Sequence, residues 1–305
     1  MAAGSPDNFH HVRDFPYLEL PGHGQLALPN LGGFEVTKFM ILQVFAGLLT
    51  LLIFRGLAKR VQSGEPTRGR WWNFWESVAL FIRDEVVRPT IGDGHHGEDH
   101  HGEDHHGETP EAGTHATPHG NGEIALAGHY ADQFLPFIWS CFFYILFCNL
   151  LGAIPMLGSA TGSLGVTGVL AGSVLIYNIT QGIKQFGFLG FWKNQVPNIG
   201  LDGPMGVVIT VVLWCIEIVG LFIKHGVLAV RLFANMMGGH TVVGVILAFC
   251  AAQGVDGFWM KALVWPASIL GQILIGLLEL FVAFLQAYVF AFLATIFLSA
   301  AIHEH

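Results

Sequence analysis

The stretch QFLPFIWSCFFYILFCNLLGAIPMLGSATGSLGVTGVLAGSVLIYNITQGI, Gln133 to Ile183, runs for 51 residues without a single Lys, Arg, Asp or Glu. At about 1.5 Å per residue, one helix of that length would measure more than twice the ~30 Å hydrocarbon core of a bilayer. It has a natural break at Gly152, Pro155 and the Gly/Ser/Thr-rich run Gly158 to Gly168, where helix-breaking residues concentrate. The stretch therefore reads as a hairpin of two membrane spans, and the rest of the chain is read outward from it.

Composition agrees. The chain has 305 residues, 52% of them hydrophobic and only 12% charged, with a mean hydropathy of +0.54, whereas soluble domains carry roughly 25% charged residues. The net charge of −8 is matched by Asp93, Glu98, Asp99, Glu103, Asp104, Glu108, Glu111 and Glu123, all in one segment free of Lys and Arg. Outside that segment the chain is neutral, which excludes a basic nucleic-acid footprint. Cys141, Cys148, Cys215 and Cys250 lie in apolar context without CxxC spacing and read as small hydrophobes.

On the N-terminal side, Phe39 to Phe54 gives 16 uncharged residues between Lys38 and Arg55, enough to cross if the flanking cations snorkel. Arg55, Lys59, Arg60, Arg68 and Arg70 follow, while only Arg13 precedes Lys38. The positive-inside bias puts the N-terminus outside and this loop in the cytoplasm. No cleavable signal peptide is expected, because no basic region followed by an apolar core opens the chain. Trp71, Trp72, Phe74, Trp75, Val78, Phe81, Ile82 and Val86 recur at helical spacing against Glu76, Arg83, Asp84 and Arg88, the pattern of a helix lying in the interface. His95-His96-Gly-Glu-Asp then repeats at His100-His101 and, ending in Thr, at His105-His106, a polar low-complexity loop.

On the C-terminal side, Gly203 to Ile223 is apolar except for Glu217, Leu232 to Val255 has no Lys, Arg, Asp or Glu, and Ala262 to His303 is apolar except for Glu279. These stretches are too long for ordinary spans and predict two long, tilted helices forming a hairpin, with a turn near Gln253 to Lys261. The expected fold is an all-α integral membrane protein of about five or six membrane helices plus the interfacial one. Its segments are 1–37 external, 38–55 the first span, 56–91 cytoplasmic and interfacial, 92–130 the His/acid-rich loop, and 131–305 the membrane domain with a cytoplasmic C-terminus.

Chemistry is sought where ionisable groups interrupt apolar runs, because a charge at bilayer depth costs about 2.5 kcal/mol or more and normally lines a path or pairs inside protein. Glu217, Lys224, Arg231, His240 and Glu279 qualify, with Asn149, Asn235 and Gln286 as polar companions. Glu217, Lys224 and Arg231 are spaced by seven, a drift of only about 20° per step, and Asn235 follows at i+4. Glu279 and Gln286 are also seven apart. The two polar stripes are expected to pack against each other.

These residues carry a resemblance. Arg231-Leu-Phe-Ala-Asn235-Met-Met-Gly-Gly-His240, Leu285-Gln286-Ala-Tyr-Val-Phe290, the terminal Leu298 to His305 and Asn149-Leu-Leu-Gly-Ala-Ile-Pro155 together resemble the subunit a family of the F-type ATP synthase membrane sector. The likeness covers roughly Lys38 to His305 apart from the His-rich loop. It implies a non-catalytic stator subunit of the bacterial inner membrane whose two half-channels carry protons to and from a rotating c-ring. The implied partners are the c-ring, peripheral-stalk b subunits, the soluble ATPase head through the complex, and the lipid bilayer, with no cofactor and no nucleic acid.

By the same resemblance Arg231 matches the essential arginine, which cannot deprotonate and so holds the ring carboxylate ionised while blocking direct proton passage. It places Asn235 and Gln286 beside Arg231, Glu217 on the cytoplasmic exit path, and His240 with Glu279 on the inlet, where the family's usual carboxylate and histidine are exchanged. Asn149 and Lys224 are secondary candidates. Proton use is the default expectation. No Gly-x-x-x-x-Gly-Lys-Ser/Thr loop is present, so no nucleotide site is expected.

The alternative from another class is a membrane metal-ion transporter, since His95, His96, His100, His101, His105 and His106 with their neighbouring carboxylates could bind Zn2+ or Ni2+ at the surface. Such a transporter would need ligands inside the membrane, where a buried arginine opposes a cation site. An intramembrane enzyme would need a nucleophile and base pair or an HExxH, which the sequence lacks.

Overall fold

The computed structural model describes residues 17–19, 25–27, 30–31, 34–62, 69–92, 129–154, 158–195, 204–251 and 258–303. The expected turn at 253–261 lies mostly outside them, as does the His-rich loop. Two small antiparallel hairpins come first: β1 (Tyr17–Glu19) with β2 (Gln25–Ala27), and β3 (Asn30–Leu31) with β4 (Phe34–Glu35). They do not alter the fold class, because every described element from Lys38 onward is helical.

The helices are α1 (Lys38–Gln62), α2 (Arg70–Phe81) running through a π-helical stretch Ile82–Val87 into α3 (Arg88–Ile91), α4 (Leu135–Gly152), α5 (Leu164–Asn194), α6 (Pro204–Ala251) and α7 (Phe258–Ile302). Five helices are long and apolar enough to cross a membrane: Lys38–Lys59, Tyr130–Gly152, Leu164–Asn194, Gly206–Ile246 and Val264–Ile302. The first helix runs past Arg55, where the loss of apolar character had suggested its end, because helical hydrogen bonding continues into the polar interface. At 48 and 45 residues, α6 and α7 would each approach ~70 Å, about twice what a bilayer needs. They can reside there only by tilting strongly.

The core sits on α4, most of whose apolar residues are buried, whereas α6 leaves most of its length exposed. Ile138, Phe142, Phe143 and Ile145 on α4 are fully enclosed, and α4 packs most extensively against α7. Ala283, Ala287 and Ala291 make this possible. All three are buried and repeat every four residues, so they form a small-residue stripe along α7 that lets two backbones approach, which is how helices gain contact where lipid offers no hydrophobic incentive. Hydroxyls in these helices bond back to their own carbonyls, as Thr50 Oγ1 does to Ala46 O at 2.9 Å and Thr295 Oγ1 to Ala291 O at 2.8 Å. Each such bond satisfies its donor within the helix rather than leaving it bare in lipid.

The amphipathic segment α2–α3 lies on the bundle. Trp75, Val78, Ala79, Ile82, Val86, Val87 and Ile91 are buried, while Trp71, Phe74 and Phe81 remain exposed. Trp72 covers Gly56 of α1, and Trp139 Nε1 of α4 donates to Ala79 O at 2.9 Å. Arg88 makes a two-pronged ion pair with Asp132, at 2.8 and 3.0 Å, so the two ends of the His-rich loop lie side by side. Arg83, beside Asp84, holds that carboxyl below the usual carboxylate range.

Glycine decides two close approaches. A Cβ on Gly152 would meet Ser159 Cβ at 2.7 Å, so only glycine lets the α4–α5 connection fold back here. A Cβ on Gly182 would meet the Phe191 ring at 2.5 Å and Ala301 O at 2.9 Å. Phe191 arrives there because α5 kinks at Gly187, whose φ of 75° suits glycine. Beyond the kink, Asn194 Nδ2 donates to His303 O at 3.1 Å, and Ser299 Oγ donates to Thr90 O at 2.9 Å. The end of α7 is thus held from both sides.

Candidate functional site

α6 presents two faces. His225, Leu228, Ala229, Leu232 and Met236 are buried at spacings of three and four, the inward stripe of a packed helix. Arg231 and Lys224 are exposed and Glu217 is half-buried, so the stripe predicted by the seven-residue spacing exists but points outward. The expectation that it would pack against the stripe of α7 is corrected on this point. Apolar neighbours fill the interface with α5 and α7, and burying three formal charges there without full pairing would cost far more than leaving them facing out.

Along that outer face Lys224 Nζ reaches Glu217 Oε1 at 3.0 Å. Both side chains are around half exposed, so the pair satisfies each other's charge without being locked in place. Arg231 lies in an open groove with Ile223, Gly226, Val227, Val230 and Ala234. Among the described residues it makes no hydrogen bond or ion pair, and its surroundings are apolar: Val227 and Val230 are themselves exposed.

Ala234 also borders a second cavity, of about 280 Å³, between α6 and α7. Asn235, Gly238 and Gly239 line it from α6, and Ile275, Leu278, Glu279 and Val282 line it from α7. Glu279 is half-buried, and its Oε1 lies 3.2 Å from where a Cβ on Gly239 would stand. A carboxylate can come this close to the helix because residue 239 has no side chain. The structure thus brings Asn235 and Glu279 around one cavity, and Glu279 to within one residue of His240 along α6. The side chain of His240 lies outside what is described. Gln286 is half-buried two turns further along α7 and does not line this cavity.

Asn149 is fully buried. Its Nδ2 donates to Ala283 O at 3.4 Å, and its Oδ1 accepts from Thr161 Oγ1 at 2.9 Å, which in turn lies 2.9 Å from Ser159 Oγ. Asn149 therefore ties the fold-back after α4 to α7 one turn beyond Glu279. His95, His96, His100, His101, His105 and His106 lie outside the described residues. Among the described residues no cluster of three or more His, Cys, Asp or Glu side chains could hold a metal ion.

Sequence reading passed over one buried polar pair, Asn178 on α5 and His225 on α6, whose Nδ2 and Nε2 are 3.4 Å apart. The signal was there: an amide in the middle of a charge-free run, and an imidazole about 100° around α6 from the charged stripe.

The family described as ATP synthase A chain matches residues 122–299. The chain is 29% identical to ATP synthase subunit a of Chloroherpeton thalassium over 98% of this chain and 77% of that one. It is 31% identical to ATP synthase subunit a 2 of Chlorobaculum tepidum over 96% and 71%, and 29% identical to ATP synthase subunit a of Myxococcus xanthus over 97% and 88%. With this match over more than half its length, and with an arginine and a carboxylate set into two long apolar helices, the chain belongs to the ATP synthase A chain family.

Proposed function

We propose that this chain is the stator of a rotary proton path, with Arg231 the residue against which the carboxylates of a c-ring pass. The observation that carries the reading is the guanidinium of Arg231, without a partner among the described residues, on the exposed apolar face of a membrane helix. An arginine stays charged at any working pH, and a charge at that depth calls for a counter-charge. Since the described part of the chain offers Arg231 none, the carboxylate comes from another subunit.

Protons reach the ring through the cavity between α6 and α7, where Glu279 and His240 hand them on past Asn235 and Gln286. They leave along the outer face of α6 past Glu217 and Lys224. Arg231 stands between the two routes and, being unable to give up its proton, keeps them apart. The chain breaks and makes no covalent bond of ATP. Its further partners are peripheral-stalk b subunits and, through the complex, the soluble ATPase head.

Orientation follows from the distribution of basic residues. Arg55, Lys59, Arg70, Arg83, Arg88, Lys184 and Lys193 all belong to the end of the bundle where α1 finishes, α4 begins and α7 terminates. That supports a cytoplasmic placement of this end in a bacterial inner membrane, with the N-terminus outside.

Inverted vesicles test the reading. Arg231→Ala should abolish ATP-driven quenching of a pH-sensitive dye at matched complex content, and a passive proton leak should accompany the loss. Normal pumping by the variant would overturn the assignment.

A further inference from the structure

We propose that His225 and Asn178 form a positioning pin that sets the rotation of α6 about its own axis, and through it the outward aim of Arg231. This rests on the half-channel reading above and assigns the pair a part in it.

The hydrogen bonds fix the roles of the ring atoms. His225 Nδ1 lies 2.9 Å from Leu221 O, and a carbonyl oxygen can only accept, so Nδ1 carries the proton. In the neutral ring Nε2 is then an acceptor, and it faces the Asn178 amide nitrogen at 3.4 Å. Both side chains are buried, and the tilted ring of Phe297 on α7 closes the site, its centre 5.0 Å from that of the imidazole. Asn178 Oδ1 is buried as well and has no hydrogen-bond partner among the described residues. An amide held inside an apolar helix pair with one end unsatisfied is costly. Single buried polar residues of this kind serve elsewhere to fix helix register at some loss of stability.

α6 has need of such a device. Its inner face, Leu228, Ala229, Leu232 and Met236, is apolar, and dispersion contacts between such faces have little directionality. The helix is long, its outer face is bare, and a turn of one residue position would swing Arg231 by about 100°. His225 lies about 9 Å along the axis from Arg231 and roughly 120° around it, so fixing the one inward fixes the other outward. Trp214 Nε1 to Trp192 O, at 3.2 Å, ties α6 to α5 near its start. The His225 pin acts less than two turns before the arginine, where the aim matters.

The test uses the whole complex in inverted vesicles, matched for content of the chain. His225→Ala and Asn178→Ala should each lower ATP-driven pumping several-fold and open a passive leak, and the double variant should be no worse than the poorer single one. His225→Gln, whose amide oxygen can still accept from Asn178, should recover most of the lost pumping, a rescue that simple filling of space would not give. Asn178→Leu keeps the packing while removing the bond, and serves where an alanine variant fails to assemble. Register is read directly from a cysteine at Leu232, with the native cysteines replaced by serine: a permeant maleimide should label it faster once the pin is removed. Additive losses in the double variant, no rescue by glutamine, or normal pumping with unchanged labelling would overturn the inference. Arg231→Ala is run in parallel. If it pumps normally, the half-channel reading falls and this inference with it; if it is inactive while the pin variants behave as wild type, only the inference falls.

Discussion

Glu279 sits against Gly239, and the carboxylate can approach the helix carrying His240 because residue 239 has no side chain to hold it off. Gly239→Leu should therefore push Glu279 out of the cavity and lower ATP-driven pumping several-fold without removing either titratable group. Dye quenching at matched complex content checks this. Glu279→Ala and His240→Ala should each reduce proton flow if the proposed path holds, since each removes one titratable group from it. The exchanged double variant, His240→Glu with Glu279→His, restores one group of each kind and should exceed either single exchange; if it is no better than the poorer of them, the pair is structural. The identity of these residues was legible in the sequence because each interrupts an apolar run. Their directions were not. The spacing of Glu217, Lys224 and Arg231 shows that they share a face, but whether that face meets α7 or the outside depends on which stripe of α6 is more apolar over its whole length. The His225–Asn178 pair escaped notice because one buried neutral side chain per helix leaves no periodic trace.

Among the elements, glycine positions carry the sharpest expectations. Gly182→Ala would drive a Cβ into the Phe191 ring and the Ala301 carbonyl, one soft neighbour and one rigid, so overpacking of about 1–3 kcal/mol is expected. It should appear as a lowered melting temperature of the purified complex and a lower yield of assembled chain; an unchanged melting point would show that α5 and α7 can part at no cost. Gly152→Ala should act likewise at the fold-back after α4. The five membrane helices were readable from uninterrupted apolar length alone. The seat of α2–α3 was not, because one apolar stripe serves equally to lie in lipid or to lie on protein. The structure divides the stripe, giving Trp75, Ile82 and Val86 to the bundle and leaving Trp71, Phe74 and Phe81 outside.

In the molecule as a whole, the Arg88–Asp132 pair brings the two ends of the His-rich segment together, so its length imposes nothing on the helices around it. Deleting His95 to Thr109 should leave ATP-driven pumping largely intact, since closing a shorter loop between fixed ends changes its entropy only slightly. Loss of assembly on deletion would contradict this, and calorimetry on the isolated peptide would separately report whether it binds Zn2+ or Ni2+. A last consequence concerns how the chain is made. The broadest helix contact, α4 with α7, joins segments more than a hundred residues apart, so the alanines that permit it, Ala283 to Ala291, leave the ribosome long after α4 has done so. Until then the part of α4 that meets α7 has no mate, although α1 and α2 already cover other parts of it, and the nascent chain must wait in the insertion machinery with that face open. A chain stopped before Ala283 should be inserted and then cleared by membrane proteases, with a half-life far shorter than that of a chain carrying Arg231→Ala, as pulse-chase labelling would record.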